Sequence, residues 1–323
     1  MKRALALCRA DDPCFAPVAA AMARHGGELI RVDLSTFPHE LSLALSIGEG
    51  QDSLRFGDID LNDAEAVWIR HVDVAESLPP MEPSHRAATE NLANTALHAA
   101  LQSIEVFQLD PPDRMGNAPL KPRQGQLARR AGLAVPRTLV SNDPDAIRAF
   151  AARCGGQIIA KMLDSGSVMM EDEDGAVPFP TMLMRADELD ELPGIELSPM
   201  IFQELVPKRL EARVTIVGRE VFVAAVPVTD AVDMRQDRAL IEGLRAFDGL
   251  PRDVVRGLEQ MMDRVGLNFA TFDLINTPDD RWVYLEMNTV SYFHHVERFA
   301  GLPVSDAVAR LLLGLAPTRD GQP

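Results

Sequence analysis

The chain has 323 residues, 46% of them hydrophobic and 25% charged, a length that predicts two or three compact units rather than one small core. Its formal charge of −16 excludes the basic surface a nucleic-acid partner needs, yet leaves room for phosphate held by a few focused Lys and Arg residues. Three cysteines, Cys8, Cys14 and Cys154, have no close CxxC spacing; they read as reduced, apolar thiols of a cytoplasmic protein rather than as a disulfide frame or a zinc site.

Residues 3–8 (RALALC) read as a buried first strand and not as a signal peptide, because Arg9, Asp11 and Asp12 cut the apolar run short. A helix over 17–27, a strand over 28–34, a hairpin over 53–61 and a buried strand over 66–70 follow. A long helix over 85–104 carries apolar residues at Ala88, Leu92, Leu97 and Leu101. This alternation predicts a small open α/β sheet. No stretch approaches the roughly 20 apolar residues of a membrane helix, so no membrane partner is expected.

A Pro-rich approach then leads to a helix ending at Gly132. The next helix is capped by Asn142 or Asp143, carries Pro144 in its first turn and stops at Gly155-Gly156. Residues 157–163 (QIIAKML) form a strand with Lys161 at its centre, and 164–181 has no settled period and reads as a hairpin or lid. A strand over 201–206 precedes a hairpin over 211–226 that turns at Gly218-Arg219. Helix 251–266 places Val254, Val255, Leu258, Met261, Met262 and Val265 on one face and ends at Gly266. A hairpin over 272–288 and a helix around VSDAVARLLLGL complete the chain.

The chemistry concentrates in the 272–288 hairpin, FDLINTPDDRWVYLEMN. With a turn at Thr277 to Asp280, residue 273 falls opposite 284 and residue 271 opposite 286. Alternation then puts Phe272, Leu274, Val283, Leu285 and Met287 on an apolar face against helix 251–266. The other face gathers Asp273, Glu286 and Asn288 together with Thr271, Ile275, Trp282 and Tyr284. Asp273 and Glu286 become diagonal neighbours, about 5–8 Å apart, able to share a hard cation such as Mg²⁺. An open, solvated face would carry the same alternation, but the aromatic neighbours resemble a cleft floor. In the preceding hairpin, Glu211, Arg213 and Thr215 share a face, so Arg213 either forks onto phosphate or carboxylate or pairs with Glu211. Lys161 stands in an apolar run and either meets an anion or snorkels to water. His294 and His295 read as surface residues or as supports for others. Arg70, Lys208, Arg209, Arg235 and Arg238 are candidates for a local basic patch.

Taken in order, the lysine strand, FQEL, E-x-R on a strand and FDL…LEMN resemble the ATP-grasp superfamily. Over nearly the whole length, including RVDLSTFP, AVWIR, APLKPRQGQLARRAGLAVPRTLVSND and VGLNFATFDLI, the chain is similar to the maturases of microviridin-type (graspetide) peptides, relatives of RimK-type glutamate ligases. The resemblance implies an α/β (α+β) ATP-grasp fold with three parts. These are an N-terminal Rossmann-like pre-ATP-grasp domain over 1–113, a small lid subdomain over 114–200, and a large antiparallel-sheet subdomain over 201–323. It implies an ATP-dependent ligase that activates Asp or Glu side chains of a ribosomal precursor peptide, recognised through its leader, as acyl phosphates and closes ω-ester or ω-amide rings. Lys121 and Lys161 would hold ATP phosphates; Gln203, Glu204 and Val206 would form the adenine-side linker, and Glu211 would meet the ribose. Arg213 would sit on the transferred phosphoryl group, Arg235 would belong to an aspartate–Trp–Arg signature, and Asp273, Glu286 and Asn288 would hold Mg²⁺. A homodimer is implied as well.

Three stretches depart from the family pattern. NTVSYFHHVER replaces a Pro and Gly-Gln-Trp-like continuation, Asp233-Met234-Arg235 replaces the aspartate–Trp–Arg signature, and Arg70-His71 stands where paired arginines follow the buried Trp. These put the acceptor in question while leaving the nucleotide chemistry in place. Two other functions stay open: a RimK-like ligase adding an amino acid to a small molecule or protein tail, and a nucleotide-binding module without catalysis.

Overall fold

The computed structural model describes residues 1–48, 52–70, 78–118, 120–163, 169–172, 175–178, 181–188, 194–227 and 238–319. Half of the expected lid stretch over 164–181, and Asp233, Met234, Arg235 and His71, lie outside the described residues.

A parallel sheet opens the fold, with strand order β2-β1-β6-β7: β1 (Lys2–Leu7), β2 (Gly27–Val32), β6 (Ala66–Ile69) and β7 (Phe107–Leu109). An antiparallel trio of β3 (Leu43–Ser46), β4 (Ser53–Phe56) and β5 (Ile59–Asp60) lies between β2 and β6 in the chain. Helix α1 (Phe15–Arg24) joins β1 to β2, and α2 (Pro83–Gln102) joins β6 to β7. On α2 the buried residues are Ala93, Leu97, Ala100 and Leu101, whereas Leu92 is 72% exposed. Five residues separate Leu92 from Leu97, about 140° around the helix, so the two cannot share an inward stripe.

Helices α3 (Pro112–Asn117) and α4 (Lys121–Arg130) lead to a four-stranded antiparallel sheet of order β12-β9-β13-β8. Its strands are β8 (Thr138–Ser141), β9 (Gln157–Lys161), β12 (Met182–Arg185) and β13 (Met200–Glu204). The pair β10 (Met169–Asp172) and β11 (Gly175–Pro178) falls in the expected hairpin stretch. Helix α5 (Pro144–Arg153) packs Ile147, Phe150 and Ala151 on this sheet, forming a core of its own with Ile158, Ala160, Met184 and Phe202. Asp143 is its cap, accepting from Asp145 N.

The last sheet has order β16-β15-β14-β17-β18: β14 (Leu210–Val217), β15 (Glu220–Pro227), β16 (Arg245–Ala246), β17 (Phe269–Asn276) and β18 (Trp282–Asn288). Gly218 turns β14 into β15 with φ +55°. Helix α6 (Arg238–Glu242) precedes β16, and α7 (Arg252–Val265) lays Val254, Leu258, Met261 and Met262 on Val214, Ile216, Phe272 and Leu274. Gly266 closes α7 in the left-handed region. Helices α8 (His294–Ala300) and α9 (Val304–Leu312) carry the chain back to α1. The parallel and five-stranded sheets therefore share two cores. Among the described residues no helix is long and apolar enough to cross a membrane.

Candidate active site

The β17–β18 hairpin differs from its expected register in two places. Thr277 N donates to Arg281 O, so the turn runs one residue longer, and Asn276 pairs with Trp282. A β-bulge then absorbs Leu285: Leu274 pairs with Tyr284, but Asp273 pairs with Glu286 and Thr271 with Asn288. The first slip moves Trp282 and Tyr284 to the core face, correcting their expected place in the cleft. Tyr284 is 2% exposed and meets Phe272 edge-on with ring centroids 6.4 Å apart. Leu285, expected in the core, lines a cavity instead. The second slip restores Glu286 to the face of Asp273, where the two are direct rather than diagonal neighbours.

Gln124 holds this bulge. It sits 2% exposed on α4, and its amide makes four hydrogen bonds. Nε2 donates to Ala118 O and Met287 O, both at 2.8 Å, while Oε1 accepts from Tyr284 Oη and Met287 N, both at 2.9 Å. Burial, with the charges of Glu286 and Asp273, pushes the Tyr284 phenol well up, so it donates as a neutral group. Sequence reading passed over Gln124, though its place on the same face as Leu127 and Ala128 was a signal.

Asp273, Glu286 and Asn288 converge. Asn288 Nδ2 lies 3.4 Å from Asp273 Oδ2 and 3.3 Å from Glu286 Oε1. Two cations flank them: Arg213 Nη1 donates to Asp273 Oδ1 at 2.7 Å, and Lys121 Nζ stands 3.8 Å from Glu286 Oε2. Among the described residues no three His, Cys, Asp or Glu side chains gather as a metal site; this trio combines two carboxylates with an amide, oxygen donors of the kind Mg²⁺ takes. Arg213 Nη2 also donates to Ser291 Oγ at 2.5 Å. His295 lies near Arg213, and burial first, then Arg213 and His294, push its imidazole down to about 4, so it is neutral at pH 7.

A cavity of about 520 Å³ opens beside the trio, between α4 and β18 on one side and β8, β9 and β13 on the other. Lys121, Lys161, Gln203 and Glu286 line it, with Arg129, Arg137 and Thr138, which sequence reading did not single out. Gln203 Nε2 donates to Thr138 Oγ1 at 3.1 Å. Glu204 turns to Arg137, accepting from its backbone N at 3.0 Å and its Nε at 2.5 Å. Val206 follows the end of β13 and is half-buried. Glu211, buried on β14, pairs with Lys208.

Several members of the expected basic patch have other partners. Lys208 is on Glu211, Arg209 is on Asn276 and Asp280, and Arg70 is 2% exposed in an ion pair with Asp12. Arg235 lies outside the described residues.

A lysine-bearing antiparallel sheet that faces a carboxylate-bearing one across a single cavity, behind a parallel sheet, is an ATP-grasp arrangement. A model of the MvdD pre-ATP grasp domain matches residues 7–116. The macrocyclase MdnC of Microcystis aeruginosa MRC, solved bound to precursor peptide MdnA, is 31% identical over 98% of this chain and 100% of its own, with TM-score 0.87. The chain therefore belongs to the ATP-grasp macrocyclase family and is an ATP-grasp ligase. Two solved ligases below 25% identity share the fold. One is the RiPP-associated ATP-grasp ligase of Chryseobacterium gregarium, in complex with ADP and a leader and core peptide: 23% identical, TM-score 0.89, covering 99% of this chain and 98% of that one. The other is PsnB, complexed with a phosphomimetic minimal precursor, Mg and ADP: 21% identical, TM-score 0.74, covering 98% and 99%. No curated protein matches by sequence.

Proposed function

We propose that this ligase uses ATP to activate Asp or Glu side chains of a ribosomal precursor peptide as acyl phosphates and closes ω-ester or ω-amide macrocycles. The observation that carries the reading is the meeting, at one cavity, of Lys121 and Lys161 with Glu286, whose carboxylate Asn288 links to Asp273 just beyond the cavity wall, in a chain matching a peptide-bound macrocyclase end to end. Lys121 and Lys161 would meet the triphosphate, Gln203, Glu204 and Val206 the adenine edge, and Glu211 the ribose. Asp273, Glu286 and Asn288 would hold Mg²⁺, which when bound neutralises charge on the phosphates. Arg213, already forked between Asp273 and Ser291, would meet γ-phosphoryl oxygens. Arg235 is assigned to the peptide's acceptor side on the family pattern alone.

The substrate carboxylate oxygen attacks the γ-phosphorus, and the bond to the β-phosphate oxygen breaks, releasing ADP. A Ser or Thr hydroxyl or a Lys amine then attacks the acyl carbon; phosphate leaves and the nucleophile gives up its proton. The chain's contribution is positioning and charge neutralisation. We assign residues 1–113, 114–200 and 201–323 to pre-ATP-grasp, lid and nucleotide-holding units; the core under α5, separate from the other two, supports a distinct central unit, and it extends past residue 200 to take in Phe202 of β13. A cytoplasmic homodimer goes with this reading and is checked by light scattering.

The test incubates the full chain with ATP, Mg²⁺ and the peptide encoded beside its gene, followed by mass spectrometry. Loss of one water per ring, with matching ADP, is expected. ADP release with a free amino acid and no dehydrated peptide overturns the reading in favour of the RimK-like one.

A further inference from the structure

Arg70, the arginine retained where the family pattern has a pair, meets in space the departing 289–293 segment TVSYF. Arg70 ends β6, and the segment follows β18 directly after Asn288. The Arg70 guanidinium is used on nearly every side. Nε donates to Asp12 Oδ2 at 2.9 Å, Nη2 lies 3.5 Å from Asp12 Oδ1, and Nη1 donates to Ser291 O at 2.8 Å. Trp68, Tyr292 and Phe293 surround it, with ring centroids 5.2, 5.3 and 5.9 Å away. The segment is tied a second time where Phe293 N donates to Cys14 Sγ at 3.4 Å, and Cys14 N in turn donates to Asp12 Oδ1 at 2.8 Å.

A buried ion pair is weak support for stability, since a well-packed apolar pair of equal volume often serves as well or better. A planar fork that fixes a carbonyl in the loop after another sheet's last strand is something an apolar pair cannot supply. The carbonyl it fixes belongs to Ser291, whose hydroxyl receives Arg213 Nη2. Arg213 Nε is buried without a hydrogen-bond partner among the described residues, so Asp273 and Ser291 orient its fork. Asp273 is shared with the proposed metal trio, which leaves Ser291 as the partner dedicated to Arg213.

We propose that Arg70 is a positioning residue: through the main chain and hydroxyl of Ser291 it sets the orientation in which Arg213 meets the γ-phosphoryl group. This rests on the assignment of Arg213 above. The relay runs from the parallel sheet, through the segment after Asn288, to the nucleotide face of the five-stranded sheet.

The test needs no peptide. Binding of Mg·ADP and Mg·AMPPNP to the full chain is measured by calorimetry for wild type, Arg213→Ala, Ser291→Ala, Arg70→Lys and the Ser291→Ala/Arg70→Lys double variant. The preference for AMPPNP over ADP reads contact with the γ-phosphoryl group. Arg213→Ala should lower that preference about tenfold, the scale of one charge-assisted hydrogen bond. Ser291→Ala and Arg70→Lys should each lower it by about three- to tenfold, with ADP affinity within about twofold of wild type. The double variant should lose no more than the worse single one, as members of one relay do. Equal losses for ADP and AMPPNP, or additive losses in the double variant, overturn the relay. Should Arg70→Lys not fold, Ser291→Ala decides, because it leaves the buried pair intact; full γ-phosphoryl preference in that variant overturns the relay. If Arg213→Ala itself keeps the preference, the assignment of Arg213 is what fails.

Discussion

Replacing Gln124 by Leu removes the amide that spans the β-bulge while keeping nearly the same volume. Four hydrogen bonds disappear, to Ala118 O, Met287 O, Met287 N and Tyr284 Oη. Each contributes about 0.5–1.5 kcal/mol net, so the sum is about 2–6 kcal/mol. Gln124, Tyr284 and Met287 are all 2% exposed, so water cannot replace the lost partners and the cost falls in the upper part of that range; the added apolar burial returns about 1 kcal/mol. The expected loss is about 3–4 kcal/mol. Urea unfolding followed by Trp fluorescence measures it, since Trp282 lies on β18 itself. With the bulge unpinned, β18 can slide toward the register without Glu286 beside Asp273, so Mg·ADP affinity should fall more than tenfold. A destabilisation under about 1 kcal/mol, or unchanged Mg·ADP affinity in a destabilised variant, would refute the argument that Gln124 sets the register.

Glu286→Gln should weaken Mg·ADP binding at least tenfold while the melting temperature without metal stays within about 2 °C, because the side chain is partly exposed and its removal relieves repulsion with Asp273; calorimetry and thermal melts check both. Burial pushes the Asp110 carboxyl up to about 7 against the hydrogen bonds from Asn268 N and Phe269 N. The folded chain thus keeps a proton the unfolded one releases, and this contribution, full below pH 3.8, is lost as pH rises through 7. Melts at pH 4.5 and 7.5 should therefore show a smaller decline toward pH 7.5 in Asp110→Asn than in wild type. His295 runs the other way: its pKa near 4 lies below the ordinary 6.5, so its contribution is full above pH 6.5 and lost as pH falls toward 4. His295→Gln should flatten that acid-side decline, and an unchanged slope would count against its burial.

Period and punctuation in the sequence were enough to place β1, β9, β14 and α7, to narrow the cap of α5 to Asn142 or Asp143 and to name the terminator Gly266, because those features depend on neighbours a few residues away. The same parity put Arg213 on one face of β14 with Glu211 and Thr215, and Val214 and Ile216 on the other. Motif order led to the family and to Lys121, Lys161 and Gln203, which the fold brings to one cavity. Tertiary structure decided the rest. The turn length and the bulge that set Tyr284 inward and Leu285 toward the cavity depend on Gln124, 163 residues from Met287 in the chain. Arg70 is buried and not on a basic patch because Asp12, Ser291, Tyr292 and Phe293 from distant segments close around it beside its neighbour Trp68. Local sequence sets which way successive side chains alternate; strand register, and whether a charge stays dry, are set by partners that meet only when the chain has folded.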